Sequence, residues 1–479
     1  MQVRTTQAAR YGDDRREKKA RARRKIMPKK PPGPTQLMEL FLGVASHLGF
    51  VTDRDVGALA DVGPENVANW RSGAVREFKN QKFRAALDNI ASHLRALRIQ
   101  AGQIDPTADG GGLHPVEIEE GSSPVDLQRE FRDRVGYDYL GHRFLYFDPQ
   151  GALAWENLIN AGYEQDRWLL GVEECADAWL SLAREGSGQV RGPIARAIGL
   201  GRRDRPRGID IISLGAGDGA KEVRILRRLL AAEKEAHQRT SWITYAPVDV
   251  SIALLIAAGK SARRAVLADV AGEDAVSHSV LPFCADFEEG PLSFTRRLRT
   301  SLAGATDGLR LVVILGNVFG NLRDEELFVR QKLSRLVRPG DLLWIEVGLR
   351  MENIENDPLY TLTRPDREET AAEANRRLLL EGPYRRWAAA TGRGSPNLDS
   401  RVWVREDDDS ARIPGSCNFC HDLLIKDERR VCTMLYSRRY NLELLTAWWE
   451  GQGYAIEGIQ RVKDAKGRTR VAHLLLRRR

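Results

Sequence analysis

The residues best placed to do chemistry lie in four short stretches, each where an apolar run gives way to glycine, aspartate or asparagine. In the first, IDIISLGAGDGAKE (209–222), Gly215, Gly217 and Gly219 sit at alternate positions, with Lys221 just beyond them. Glycine at a strand-to-helix turn lets the backbone pass close beneath a ligand and leaves helix N-terminal amides pointing at it. The acid inside this loop, Asp218, would repel a diphosphate but not a cofactor carrying a cationic sulfonium and an amino acid tail. The second stretch, WITYAPVDVS, ends at Asp249 and Ser251, and an acid at that place can accept both hydroxyls of a ribose. In LPFCADFEEG, Asp286 can accept the exocyclic amine of an adenine while Phe287 packs on the ring. The fourth, LRLVVILGNVFGNL, opens after six or more apolar residues into Gly316, Asn317 and Asn321.

These groups need a frame that brings them to one edge. IDIISL reads as a short buried strand, and AKEVRILRRLL as a helix with apolar positions three and four apart. Four strand ends in chain order, each with a fitting polar group, predict a cleft at the carboxyl edge of a parallel sheet. The expected fold is α/β, and the expected cofactor is S-adenosylmethionine. Its contacts would come from Gly215, Gly217, Asp218, Gly219, Lys221, Asp249, Ser251, Asp286, Phe287, Gly316 and Asn317.

The same stretches resemble the histidine Nα-methyltransferases of the ergothioneine pathway. The motifs are FLYFDPQGALAWENLINAGYEQDR (144–167), SLGAGDGAKE, YAPVDVS, ADFE, LGNVFGNL and VRPGDLLWIEVGL (337–349), in that order. The resemblance spans roughly residues 126–479 and implies a Rossmann-like class I methyltransferase sheet, with a substrate pocket partly closed by an inserted region and the C-terminal strands. It implies that Asn321 holds the substrate carboxylate and that Tyr163 lies in a tyrosine-bearing turn facing it. The stretch ETAAEANRRLL (369–379) is similar to the family's inserted helix, with Asn375 at the matching asparagine. Near the C-terminus the family carries a Glu two residues before a Ser, and the two bind the imidazole. Here CTMLYSRRY supplies Ser437 but puts Leu435 in place of the glutamate. A leucine cannot accept the imidazole hydrogen bond, and a buried polar group left unpaired costs about 1–3 kcal/mol. A more apolar or larger amine, of another amino acid or a peptide end, is therefore expected in place of histidine.

Transfer of a methyl to a neutral amine chiefly needs the nucleophile deprotonated and aligned at close range. Tyr163 and Asn321 are the residues expected to orient it, although a core tyrosine and a helix cap are the plainer readings of the two. In GSCNFCHDLLIKDERRVC (415–432), Cys417, Cys420, His421 and Cys432 have zinc-ligand residue types. With a single C-x-x-C, buried thiols at a turn are the expectation, and no metal is assigned.

The net charge of +8 is local: residues 1–30 hold twelve Lys or Arg against three acids. Such an arm either holds phosphates by counterion release or simply solubilises the chain. After PKKPPGP, residues 35–102 read as a helical domain. Its VTDRDVGALADVGPENVANWRSGAV (51–75) resembles a helix-turn-helix with Glu65, Asn66, Asn69 and Arg71 exposed. DNA contact and a docking or dimerisation role are both open for it, so a nucleic-acid or protein partner through residues 1–100 is an expectation. The domain plan is thus an arm (1–34), a helical domain (35–102), a linker (103–126) and a methyltransferase domain (127–479). Within the last, the cofactor core is placed at about 170–350 and the substrate region at about 135–168 and 351–479.

Apolar residues at 42% and charged residues at 29% are those of an ordinary folded protein. With no long uncharged apolar run and five scattered cysteines, a cytoplasmic location without membrane contact and with reduced thiols is expected. The function expected is methylation of a small-molecule or peptide amine. The alternatives are a nucleic-acid-binding regulator that senses cofactor or metabolite through this fold, and a macromolecule methyltransferase. The Asn/Asp-Pro-Pro-aromatic motif typical of base methylases is absent after Ile314, which lowers the option of base methylation.

Overall fold

A computed structural model describes residues 52–54, 57, 63–71, 116–160, 165–182, 184–185, 188–189, 191–202, 204, 206–267, 278–302, 308–363, 370–405, 412–463 and 467–479. Its strands are β1 (Glu117–Ile118), the small hairpin β2 (Arg184–Glu185) and β3 (Gly188–Gln189), β4 (Ile209–Leu214), β5 (Ile243–Asp249), β6 (His278–Val280), β7 (Phe283–Cys284), β8 (Leu309–Ile314) and β9 (Leu342–Gly348). Beyond these come β10 (Leu398–Arg405), β11 (Cys417–Ile425), β12 (Arg430–Arg439), β13 (Tyr454–Lys463) and β14 (Thr469–Arg478). The main sheet runs β1-β7-β5-β4-β8-β9-β14-β13, with β6 also on β5. All of its pairings are parallel except the two made by β14, which runs antiparallel to both neighbours.

Every residue of β4, β5, β8 and β9 is buried, as parallel strands covered on both faces require. Period-two alternation still divides them between two cores. Ile212, Leu214, Val312 and Ile314 pack on one face with Trp449 and Phe328. Ile209, Ile211, Leu311 and Val313 pack on the other, against Leu226 and Leu229 of the helix Ala220–Ala236. The strand order reverses at β4, whose neighbours β5 and β8 carry the chain away in opposite directions; this switch point is where an open α/β sheet leaves a crevice. The arrangement is that of a class I Rossmann-like methyltransferase sheet.

A second, antiparallel sheet, β10-β11-β12, stands against that edge, with the helix Ala371–Ala390 leading into it. Thr370 and Glu373 start this helix with a capping box, the side chain of each meeting the backbone N–H of the other. The linker expected over 103–126 is corrected at its end. Glu117 and Ile118 add a parallel strand to β7, and Pro124 opens a helix that runs to Arg134.

Of the expected helix-turn-helix, Pro64–Arg71 forms a helix beginning at its proline, with Glu65, Asn66 and Asn69 exposed and Val67 buried. The side chain of Arg71, the arm and most of that domain lie outside the described residues. Among the described residues no helix is long and apolar enough to cross a membrane.

Candidate active site

Three of the four stretches end at the switch point, and the loop after β4 shapes its floor. Gly215, Gly217 and Gly219 all have left-handed backbone, with φ of 69°, 55° and 73°. A Cβ on Gly217 would face open space, its nearest neighbour being the Trp155 indole nitrogen at 3.9 Å. A Cβ on Gly219 would stand 2.8 Å from Cβ and 3.0 Å from Cα of Ala258, so this glycine serves helix packing and does not line the cleft. Asp249, at the end of β5, pins the loop: Oδ2 accepts from the Gly217 amide at 3.0 Å and Oδ1 from the Ser251 amide at 2.9 Å. Burial pushes its carboxyl above the usual range, against the pull of those backbone N–H groups. Ser251, expected at the cofactor, is 1% exposed and outside the cleft lining, with its hydroxyl accepting weakly from the Leu254 amide. It starts the helix Ile252–Leu267.

Asp218 caps the next helix through the Ala220 amide at 3.0 Å. Behind the loop, Glu222 accepts from the Ser213 hydroxyl at 2.6 Å, and burial pushes its carboxyl up to about 7. Lys221 reaches across the edge to Glu346 at 3.4 Å, and the same carboxylate oxygen accepts from the Gly316 amide at 2.7 Å.

On the β7 side, Asp286 receives the amides of Glu288 and Glu289 on Oδ1 and pairs with Arg143 through Oδ2. Arg143 also pairs with Glu130 at 2.6 Å and Glu289 at 2.9 Å. Phe287 is buried, with the His142 ring 6.2 Å away between centroids. Burial lowers the His142 imidazole to about 4 and pushes the neighbouring Glu288 carboxyl up to about 7, so the imidazole is neutral.

At the β8 end, Asn317 takes left-handed backbone (φ 58°) and accepts from the Gly348 amide at 2.9 Å, while its amide nitrogen meets the Ser437 hydroxyl at 3.4 Å. The side chain of Asn321 is satisfied when its nitrogen donates to the carbonyls of Tyr436 (2.9 Å) and Asn317 (3.3 Å). Its oxygen is then turned the other way as an acceptor.

These residues enclose one cleft of about 1530 Å³ including its solvent-open mouth. Gly215, Gly217, Asp218, Lys221, Asp249, Asp286, Phe287, Gly316, Asn317, Asn321 and Ser437 all line it. Asn375 does not: its nitrogen donates to the Asn157 carbonyl at 3.4 Å, on the helix Pro149–Asn160. Tyr163 lies outside the described residues.

Several lining residues were not singled out in the sequence: His142 and Arg143 just before the FLYFDPQGALAWENL motif, Tyr146 and Trp155 within it, and Arg439. The two-residue spacing of Leu435, Ser437 and Arg439 was the available signal for the last of these. His421, considered as a zinc ligand, faces the cleft instead. Cys417 packs with Phe419 and Cys432 with Met434 in separate cores, and among the described residues no group of three His, Cys, Asp or Glu could hold a metal.

A loop of left-handed glycines, an acid at the second strand end and a cleft at the switch point fit S-adenosylmethionine. In agreement, residues 192–355, about a third of the chain, match the model of the family described as histidine-specific, S-adenosylmethionine-dependent methyltransferases. The protein is an S-adenosylmethionine-dependent methyltransferase. The match stops short of β11 and β12, which supply His421, Leu435, Ser437 and Arg439 to the cleft.

No curated protein matches the chain. Solved structures with similarity include the CcbJ methyltransferase of Streptomyces caelestis (13% identity, TM-score 0.28, covering 64% of this chain and 95% of that one). Another is the 1,6-didemethyltoxoflavin-N1-methyltransferase of Burkholderia thailandensis (11%, TM-score 0.30, 68% and 87%). A third is SCL7 of Oryza sativa (10%, TM-score 0.37, 75% and 91%). At such TM-scores they carry nothing further.

Proposed function

We propose that this methyltransferase acts on the nitrogen of an amino acid or a related small molecule or peptide. The observation that supports this most is the composition of the cleft at the switch point. Its sheet edge has the groups for the cofactor, and its opposite wall, built from Asn321, His421, Leu435, Ser437 and Arg439, offers hydrogen-bonding groups beside one apolar side chain, which suits a compact polar acceptor. When bound, the cofactor supplies a methyl group on a cationic sulfur.

The residues of the chain have the simpler task of holding an amine in line. Asp249 would hold the ribose hydroxyls on the lone pairs that the Gly217 and Ser251 amides leave, Lys221 the carboxylate of the tail, and Phe287 the adenine. Both oxygens of Asp286 are already engaged by Arg143 and turn amides, so any contact it makes to the adenine amine uses a remaining lone pair. With its nitrogen committed to two backbone carbonyls, Asn321 offers its oxygen to an N–H of the acceptor, which suits an amine better than the carboxylate expected from the resemblance. The amine must arrive unprotonated, because its lone pair is the nucleophile, and positioning accounts for most of the acceleration such a transfer needs.

The test is incubation of the full chain with methyl-labelled S-adenosylmethionine and an extract of its host, followed by separation into small molecules, proteins and nucleic acids. Label on nitrogen in the small-molecule or peptide fraction is expected. Label in nucleic acid, or on oxygen or carbon, would overturn the reading.

A further inference from the structure

The acceptor wall of the cleft is one face of an antiparallel sheet. Strand alternation places Leu435, Ser437 and Arg439 on the same side of β12, and the register sets His421 opposite Leu435 and Phe419 opposite Ser437. The register shifts directly after His421, a bulge of the kind that re-aims a side chain. Leu435, Ser437, Arg439 and His421 all line the cleft.

The polar groups on this face are turned outward as donors. Ser437 accepts from Arg439 Nη1 at 3.1 Å and from Asn317 Nδ2 at 3.4 Å, so both lone pairs of its hydroxyl are used and its proton is left to donate. Arg439 is held from behind by Asp357, at 3.0 Å from Nε, which fixes the guanidinium plane. The His421 side chain is 2% exposed, and its Nδ1 has no hydrogen-bond partner among the described residues. Burial, with Arg376 and Arg439 nearby, holds its imidazole well below the usual value, so it is neutral and presents an N–H from one nitrogen. The carboxylates that line the cleft, Asp218, Glu222, Asp249 and Asp286, all belong to the sheet edge and none to this face.

We propose that this face binds an anionic group: the acceptor is an amino acid carrying a second carboxylate, distal to the reacting amine, that is taken by Ser437, Arg439 and His421. Leu435 packs against the intervening methylenes. A cationic side chain meets no carboxylate on this face and two guanidinium groups, of Arg376 and Arg439, close by, so cationic amino acids are disfavoured by charge. The proposal rests on the amine-methyltransferase reading above and names its substrate class.

The experiment is calorimetric titration of the full chain, saturated with S-adenosylhomocysteine, with L-aspartate, L-glutamate, L-leucine, L-histidine and L-lysine. An acidic amino acid should bind at least about tenfold more tightly than the other three, a difference of about 1.4 kcal/mol. Leu435→Glu should abolish that preference or turn it toward histidine, and Ser437→Ala should weaken the acidic ligand alone. The heat of S-adenosylhomocysteine binding, measured first on each variant, reports that the cofactor half is intact. Equal affinities, a preference for leucine, histidine or lysine, no binding of either acid, or an unchanged preference in Leu435→Glu would overturn the proposal. Failure of the amine reading is separate: it appears as label placed in nucleic acid, or on oxygen or carbon, in the transfer assay.

Discussion

Gly217 and Gly219, two residues apart in one loop, should respond to the same substitution in opposite ways. Both have left-handed backbone, so alanine at either costs about 1 kcal/mol in conformational strain. At Gly217 the added methyl meets nothing nearer than 3.9 Å and points into the space assigned to the cofactor. Stability should fall by that 1 kcal/mol alone, while a methyl intruding on the ligand's van der Waals wall costs about 1–3 kcal/mol, or roughly tenfold or more in affinity. At Gly219 the methyl would lie 2.8 Å from the Ala258 Cβ and 3.3 Å from the Tyr245 hydroxyl, and neither the helix Ile252–Leu267 nor β5 can withdraw cheaply. Overpacking adds about 1–3 kcal/mol to the strain, about 2–4 kcal/mol in total. Thermal unfolding and calorimetric titration with S-adenosylhomocysteine on both variants separate the two effects. The reasoning is refuted if Gly217→Ala unfolds as early as Gly219→Ala while binding the cofactor product as tightly as the parent.

Three further outcomes follow from the same geometry. Asp249→Asn can satisfy only one of the two amides now held by the carboxylate and sets an N–H against the other, so S-adenosylhomocysteine affinity should drop about tenfold, read by calorimetry. The Glu222 carboxyl, at about 7 against a usual 4.5, keeps a proton in the folded chain that the unfolded chain has released between those values. Stability therefore falls as pH rises through that window, by at most about 3 kcal/mol. Glu222→Gln should gain melting temperature over the parent near pH 8 and not near pH 5, and an equal difference at both would contradict the assignment. Arg438, fully buried, pairs with Glu325 at 3.2 Å and donates to the Arg323 carbonyl at 2.9 Å, tying β12 to the turn after Asn321. Arg438→Met strands a buried carboxylate and should cost about 3–5 kcal/mol in urea unfolding, part of it recovered in the double variant with Glu325→Gln.

The cofactor half of the site was legible in the sequence because its signals are local. A buried strand, a turn that only glycine tolerates and an amphipathic helix follow one another within 209–236, and the order of four such units fixes a parallel sheet. Ser251 and Gly219 show the limit of that reading. Adjacency to a motif put them at the ligand, whereas three-dimensional packing gives one a helix cap and the other a helix contact. The acceptor half depends on pairing between distant strands. That His421 stands beside Leu435 is a matter of register between β11 and β12, which no local pattern encodes, and the contact of Asn375 with the Asn157 carbonyl is set by how its helix seats on Pro149–Asn160. Glu117 and Ile118 fell into a segment of linker composition because a two-residue strand at a sheet edge has no periodicity to read.

The most direct test of the account is a crystal structure of the full chain with S-adenosylhomocysteine. One molecule is expected at the β4–β8 crevice, with its ribose hydroxyls on Asp249, its adenine against Phe287 and its sulfur directed toward Asn321 and the β11–β12 face. A molecule bound elsewhere, or bound there with its sulfur turned away from Asn321, would contradict it.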